Sequence, residues 1–160
     1  MSRNAIISII GSHVYDENEE VVEIVTPGTY SKQNDGFVIN YDEPGEQGED
    51  GNPPKTTIRT GGGCVFVSRT GDAVSQMVFE QGRRHVFYYN TDVGGVTVGV
   101  CASRVEVVLD EELGGRIEID YSIDFDSAVT GDNRFALNLS PSEHAPVVPE
   151  KYGGGPWFHI

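Results

Sequence analysis

Hydrophobic and polar residues alternate strictly along the segment Gly115–Phe125. Its apolar positions are Ile117, Ile119, Tyr121, Ile123 and Phe125, and the positions between them carry carboxylates or a hydroxyl. A period of two along β-branched and aromatic residues is typical of a β-strand with one buried face. A helix would need apolar residues at spacings of three and four, and would scatter these carboxylates around its circumference. The segment therefore predicts a half-buried strand.

Similar short apolar runs, separated by turns rich in glycine, recur along most of the chain. Many short strands joined by tight turns favour a closed meander, because closure removes the unpaired edges of the sheet. The pattern predicts an all-β fold, a single antiparallel up-and-down β-barrel of about eight to ten strands, with a β-sandwich as the alternative. The predicted strands are Ala5–Tyr15, Val21–Tyr30, Phe37–Tyr41, Lys55–Thr60, Cys64–Thr70, Val74–Glu80, Arg84–Thr91, Val96–Leu109, Gly115–Phe125 and Arg134–Leu139.

Local breaks in these runs predict two irregular positions within strands and one tight turn. Pro27-Gly28 interrupts the second strand, which suggests a bulge or an edge because proline lacks the N–H of a ladder hydrogen bond. Asn34-Asp35-Gly36 predicts a tight hairpin, since Asp-Gly readily adopts positive φ angles. The alternation of the long eighth run changes phase, which predicts a bulge or bend near Ala102–Arg104.

Two segments lack the strand pattern. Residues 42–54 hold clustered carboxylates, glycines and prolines, which predict a mobile acidic loop; their spacing does not match a calcium-binding loop, so no metal site is expected. The boundary at Ser140 divides a barrel domain, residues 1–140, from a loosely ordered tail, residues 141–160, rich in proline and glycine. Trp157 and Phe158 in this tail are either exposed or docked on an apolar patch.

The composition limits the classes of partner. The 160 residues include 25 acidic and 11 basic side chains, a formal charge of -14, which disfavours nucleic acid and anionic membranes as partners. Cys64 and Cys101 lie inside strand-like runs without metal-ligand spacing, so free buried thiols are expected, or a bridge if their strands are adjacent. The apolar run after Met1 is too short for a signal sequence. We expect a cytoplasmic, bacterial protein that is a monomer or a homodimer.

Short motifs along residues 5–139 resemble those of the YwiB-like family of small bacterial proteins. The resemblance implies a calycin-type, lipocalin-like β-barrel and implies no catalytic residues. The long acidic loop and the tail after Ser140 depart from the family pattern. The motifs are Thr26-Pro27-Gly28 with Tyr30, Ile39 to Glu43, Val67 to Gly71, Met77 to Gly82, Tyr89 to Thr91, Leu109 to Glu112, Gly115 to Ile117, and Tyr121.

Residues in phase with the apolar positions of a barrel strand face the lumen and are candidates for a ligand-binding wall. Arg69 shares its phase with Val65 and Val67, so it either binds an anionic group at the barrel mouth, or it extends to solvent or pairs with an acidic neighbour at the strand end. The other candidates are either lumen wall or ordinary core. They are Tyr41, Met77, Phe79, Tyr89, Thr91 and Tyr121.

No catalytic signature emerges from the sequence, and no cofactor is expected. The four histidines are scattered, and the glycine triplet at 61–63 lacks the lysine of a phosphate-binding loop. Glu80 is expected to face solvent; the alternative is an acid–base pair of Glu80 with His85. Two hypotheses of function remain. One is a barrel that binds a small, partly apolar or anionic molecule in its lumen; the other is a protein-interaction scaffold with a filled barrel.

Overall fold

The chain folds into a ten-stranded antiparallel sheet that curls into a nearly closed barrel. The computed structural model describes residues 2–43, 51–70, 75–91, 94–126 and 128–142, with side chains at all of these positions except 75, 89–91, 129 and 130. These ranges contain no helix, and so none long and apolar enough to cross a membrane. The strands are β1 Arg3–Tyr15, β2 Asn18–Gln33, β3 Gly36–Asp42, β4 Lys55–Gly61, β5 Cys64–Thr70, β6 Ser75–Glu80, β7 Arg84–Thr91, β8 Gly94–Asp110, β9 Gly114–Phe125 and β10 Ala128–Pro141.

The order of strands in the sheet is β6-β5-β4-β3-β2-β1-β10-β9-β8-β7. Neighbours in sequence are neighbours in space, and β1 pairs with β10 to join the two halves of the meander. Strands β6 and β7 stand at the two ends of this order. Within the described residues they are linked at the turn by the isolated bridge of Glu80 with Arg83, while Gln81 bridges to Ala102 of β8. The predicted barrel is therefore confirmed, with a seam between β6 and β7.

All ten predicted strands are present, but their ends differ. The tenth begins at Ala128, six residues before its predicted start at Arg134, because it pairs with the end of β9 through a register shift between Val129 and Asp132. Gly131 within this shift has φ +125°, a conformation that glycine adopts without steric cost. The alternation along the sequence did not show this extension, because it depends on pairing with β9.

The predicted irregularity at Ala102–Arg104 is confirmed, because the register of β8 against β9 shifts there. The bulge considered at Pro27 is absent, since β1 and β2 pair without a shift through Pro27. The other prediction for Pro27, a position at the edge of a ladder, agrees better with the structure. Pairing of β2 with β3 begins at Gly28, so Pro27 lies just beyond the described ladder on that side, where a missing N–H is tolerated.

The hairpin between β2 and β3 is present but its turn lies one residue earlier than predicted. Gln33 pairs with Gly36, so Asn34 and Asp35 form the two-residue loop, and Asn34 has the positive φ, +54°. Gly36 serves a different purpose: a Cβ there would lie 1.6 Å from the carbonyl oxygen of Thr60. Glycine is needed at this position because the backbone of β4 approaches closely.

The core lies inside the barrel. We call the part of it around Arg3, Tyr30, Ile39 and the β8–β9 turn the closed end, because a buried tyrosine bonds to the turn there. Tyr30 is 1% exposed, and its hydroxyl donates to the carbonyl oxygen of Glu111 at 2.6 Å. Arg3 Nη1 donates to the same oxygen at 2.7 Å. The turn is itself held by Asp110, whose Oδ2 accepts from the backbone of the two residues that follow Glu111.

Charged side chains form a network on the outer face of β8, β9 and β10. The guanidinium of Arg104 donates to Asp120 at 2.9 Å, to Glu118 at 2.9 Å and to Glu106 at 3.2 Å. Arg134 binds the second oxygen of Asp120 at 2.7 Å. These hydrogen bonds, from Arg104 first and then Arg134, lower the pKa of Asp120. One guanidinium thus serves several carboxylates at once on this surface.

The predictions for the cysteines, the acidic loop and the tail have different outcomes. Both cysteines are free but half-buried, not fully buried as expected. Residues 44–50 of the acidic loop, and the tail with Trp157 and Phe158, lie outside the described residues. Strand β10 ends at Pro141, close to the predicted domain boundary at 140, and that boundary stays a prediction.

Candidate ligand site in the barrel lumen

A row of three polar side chains lies on the inner face of the short strands β3, β4 and β5. Tyr41 pairs with Thr56, and Thr56 pairs with Arg69. Residues directly opposite one another on antiparallel strands point to the same face, so the three side chains stand side by side. Glu43 follows two residues after Tyr41, and its backbone N–H donates to the carbonyl of Pro54 at 2.8 Å. This contact keeps Glu43 in line with the row.

Hydrogen bonds connect the row to a carboxylate. The Thr56 hydroxyl donates to Glu43 Oε1 at 2.6 Å, and the Tyr41 hydroxyl hydrogen-bonds the Thr56 side chain. Because a threonine hydroxyl has one proton, and Thr56 gives it to Glu43, Tyr41 must be the donor to Thr56. Arg69 Nε lies 3.7 Å from the same oxygen of Glu43. The hydroxyls of Tyr41 and Thr56 thus form a chain of hydrogen-bond donors that ends on the carboxylate of Glu43, beside the guanidinium of Arg69.

The phenol of Tyr41 stays neutral in this arrangement. Burial is the main cause that raises its pKa, and the negative charge of Glu43 raises it further, while the hydrogen bond to Thr56 and the charge of Arg69 oppose the shift. Tyr41 is 7% exposed, whereas the side chain of Arg69 is 41% exposed. The Tyr41 hydroxyl is therefore a buried polar group inside the barrel, whereas Arg69 lies at the mouth of the barrel.

The opposite wall is apolar and comes from the long strands. A cavity of about 340 Å³ separates it from the polar row. The ring of Tyr121 contacts the ring of Phe79 edge to face, with centroids 4.8 Å apart, and burial raises the pKa of Tyr121. Apart from Tyr41, Glu43 and Arg69, the cavity is lined by Ile9, Gly11, Val22, Ile24, Tyr121 and Phe135.

The structure brings together three of the residues predicted from the sequence: Arg69, Tyr41 and Tyr121 line the same cavity. Phe79 lies behind this wall through its contact with Tyr121, and Met77 packs against the core. The side chains of the other two candidates, Tyr89 and Thr91, lie outside the described part of the structure. The alternative expectation for Arg69, a pair with an acidic neighbour, also matches its position beside Glu43.

Sequence reasoning missed Glu43 and Thr56. Glu43 was assigned to the mobile acidic loop, yet its side chain is 14% exposed and faces the cavity. The alternation of β3 contained the signal, because Ile39, Tyr41 and Glu43 are in phase. Thr56 gave no signal of its own, since a threonine in a strand is ordinary. Only the register of β4 against its two neighbours reveals it.

A second polar cluster lies at the seam between β6 and β7. Glu80 was expected to face solvent, but its carboxylate is half-buried, and Oε1 lies 3.0 Å from His85 Nε2. Burial and the neighbouring Glu80 raise the pKa of the Cys64 thiol. A thiol with a raised pKa is a poor nucleophile, so the cluster lacks the activated cysteine of a Cys/His enzyme. The described residues contain no group of three or more histidines, cysteines and carboxylates that could hold a metal ion.

Comparisons with known proteins agree with the barrel and identify the family. The profile of a domain of unknown function, DUF1934, matches residues 7–137. The chain is 31% identical, over 109 residues, to the uncharacterized β-barrel protein YwiB of Bacillus subtilis; the match covers 68% of this chain and 72% of that protein. The crystal structure of the ywiB protein from Bacillus subtilis superposes with a TM-score of 0.69 at 19% identity, covering 88% of this chain and 93% of that one. The chain therefore belongs to the DUF1934 family of YwiB-like β-barrel proteins.

Proposed function

We propose that the protein binds a small, partly apolar molecule with an anionic head group inside the barrel. The observation that carries the proposal is the cavity of about 340 Å³ with an apolar wall on one side and Arg69, Tyr41 and Glu43 on the other. Ligand sites commonly combine a mostly apolar lining with a few convergent polar groups, and their volumes begin at roughly 300 Å³. The cavity is of that kind.

Arg69 is the residue we expect to bind the head group. A guanidinium presents five donors in a planar fork that matches a carboxylate. Glu43 does not exclude an anion from this place, because an arginine can serve several carboxylates at once, as Arg104 does on the outer surface. Glu43 is also held by the Thr56 hydroxyl, so it has a partner even when Arg69 turns toward a ligand.

The scaffold hypothesis presumes a barrel filled by its own side chains. The cavity between the polar row and the apolar wall supports the binding hypothesis over it. We further propose that the protein works in the cytoplasm. The two free thiols support this location, since secreted domains more often pair their cysteines.

Replacement of Arg69 tests the proposal. Arg69→Met keeps the aliphatic stem and removes the charge, so affinity for straight-chain fatty acids should fall by about 1.5 to 3 kcal/mol, the range for a hydrogen bond to a charged group. Isothermal titration calorimetry with a length series of these acids measures the change. Arg59→Met is the matched control, because Arg59 is exposed on the adjacent strand β4; it should bind as the wild type does.

Removing Arg69 also leaves Glu43 beside the cavity without that cation, which can lower stability by itself. The double variant Glu43→Gln/Arg69→Met keeps the site electrically neutral and should restore the melting temperature but not the binding. A single variant that loses melting temperature while binding every acid as the wild type does would show that Arg69 only ties a strand end to Glu43.

A further inference from the structure

A second cavity, of about 300 Å³, adjoins the first inside the barrel. The two cavities follow one another along strand β1. Ile9 lines the first, His13 lines the second, and Gly11 between them lines both. Residues two positions apart on a strand point to the same face and lie about 7 Å from one another. Gly11 therefore lies at the boundary between the two cavities.

This boundary is a row of three residues on neighbouring strands. Gly11 pairs with Val22 of β2 on one side and with Phe135 of β10 on the other, and residues directly opposite one another on antiparallel strands point to the same face. Val22 and Phe135 also line both cavities, as does Tyr121, and all three pack against the core. The row thus has a side chain on each side and none in the middle, which leaves a gap over Gly11.

Neither the backbone nor the packing requires glycine at this position. Gly11 is not among the described residues with a positive φ, so other residues can adopt its conformation. A Cβ on Gly11 would meet no described atom within 4 Å beyond its neighbours in the chain. A Cβ on Gly28, in contrast, would overlap with the side chain of Ile7 and the carbonyl oxygen of Asn40. Glycine inside a strand lowers stability relative to alanine, and it often marks a place where a ligand approaches the backbone closely.

We propose that Gly11 lets an unbranched apolar chain pass from the first cavity into the second, an inference that rests on the proposed function of the first cavity. The head group lies at Arg69, and the chain runs along the apolar wall that the cavities share. The charged side chains of the second cavity, Glu20 and Arg134, belong to exposed residues, so they keep their water while the chain lies on the wall. The ligand class is then a carboxylate on a chain longer than the first cavity holds, and Gly11 determines the maximum length.

The test is the affinity of straight-chain fatty acids of increasing length, measured by isothermal titration calorimetry. Each buried methylene raises affinity by roughly threefold to fourfold, so wild-type affinity should rise with length and level off once both cavities are filled. In Gly11→Leu the new side chain fills the gap, and the rise should stop earlier, by the number of methylenes that fit in about 7 Å. At the length that the wild type binds best, the variant should bind about tenfold more weakly or worse, as expected for the loss of about two buried methylenes.

Two further variants control for effects on the fold. Gly11→Ala adds a single carbon in open space, so it should weaken the binding of long acids by a smaller factor and raise the melting temperature, because alanine restricts the unfolded chain. It keeps the test decisive if leucine disturbs the strand. Gly61→Leu is the matched control, because Gly61 lies on β4, has no positive φ and lines neither cavity. It should keep the wild-type dependence on chain length.

The outcomes separate this inference from the function on which it rests. Acids too short to reach Gly11 should bind to Gly11→Leu as they bind to the wild type. If acids bind and depend on Arg69, but the length at which affinity levels off is the same in the wild type, Gly11→Ala and Gly11→Leu, the chain does not pass Gly11 and the inference is wrong. If no acid of any length binds to the wild-type protein, the proposed function itself fails.

Discussion

Both ends of the barrel contain a buried tyrosine, and the partners of the two hydroxyls differ. At the closed end Tyr30 donates to the backbone carbonyl of Glu111, a group fixed by the β8–β9 turn. At the other end, which we call the cavity end, Tyr41 donates to Thr56, which donates to the carboxylate of Glu43. A backbone acceptor cannot rearrange without moving the turn, whereas a chain of side chains can. The same residue type thus closes one end and lines a cavity at the other.

The strands explain why the ends differ. The short strands β3 to β6 have six or seven residues each, whereas β1, β2 and β8 to β10 have 12 to 17. At the closed end the two sets meet, and the close approach of Gly36 to β4 tightens the packing. Toward the cavity end the long strands continue past the short ones. Their inner faces are then only partly covered, which leaves room for the cavities.

The largest expected effect is the truncation of a core isoleucine at the closed end. Ile39 is 0% exposed, so Ile39→Ala should lower the free energy of unfolding by about 4 kcal/mol, within the range for such losses. Ile24 is also buried but lines the cavity, and its side chain lacks packing partners on that side. Ile24→Ala should cost less, about 2 kcal/mol. Urea denaturation of the two variants measures the difference.

An equal loss of unfolding free energy in Ile39→Ala and Ile24→Ala would contradict the difference drawn between the closed end and the cavity end. It would show that Ile24 is packed on all sides and that the cavity closes in solution. A larger cavity should also admit bulkier probes, so Ile24→Ala should bind branched acids that the wild type excludes. Ile39→Ala, matched in chemistry, should leave that selectivity unchanged.

The next effect concerns the two tyrosine hydroxyls. Tyr30→Phe removes a buried hydrogen bond to a carbonyl and should cost about 1 kcal/mol; Arg3, which donates to the same oxygen, limits the loss. Tyr41→Phe should cost less, about 0.5 kcal/mol, because Thr56 keeps its own hydrogen bond to Glu43. Thermal unfolding of both variants provides the measurement. A greater loss for Tyr41→Phe would mean that the cavity end is the more rigid of the two.

The sequence was sufficient for most of the fold because strand periodicity is a local signal. Alternation alone placed every strand, and the phase change of β8 located its bulge near Ala102. Contacts between strands were not visible in the sequence. The start of β10 at Ala128 depends on pairing with β9, and the role of Gly36 depends on the backbone of Thr60. At both places contacts between strands, and not the local sequence, decide the structure.

For the candidate site, the alternation along each strand identified side chains that face the lumen. It did not show which side chains of neighbouring strands lie beside them. Arg69, Tyr41 and Tyr121 were found because each is in phase with buried residues of its own strand. Thr56 was missed because only the register of β4 against β3 and β5 places it between Tyr41 and Arg69. The same is true outside the site: His13 Nδ1 lies 2.7 Å from Asn133 Oδ1 because the two residues are in register across β1 and β10.

The smallest expected effect is the response of the closed end to acid. Two backbone N–H groups, of Leu113 first and of Glu112, lower the pKa of the Asp110 carboxyl. A carboxyl whose pKa is lower in the folded state stabilises the fold above its unfolded pKa, near 4, and this contribution is lost as the pH falls through the lowered value. Asp110→Asn should therefore reduce the melting temperature near neutral pH and lose less of it on acidification than the wild type does.

Asp16→Asn is the matched control for Asp110→Asn, because Asp16 lies in an exposed turn between β1 and β2, away from the closed end. It makes the same change of charge at a site away from the β8–β9 turn. Its melting temperature should follow the wild-type curve between neutral pH and about pH 3, the range in which aspartates titrate. If Asp110→Asn also follows that curve, the negative charge of Asp110 does not stabilise the β8–β9 turn that carries the Glu111 carbonyl.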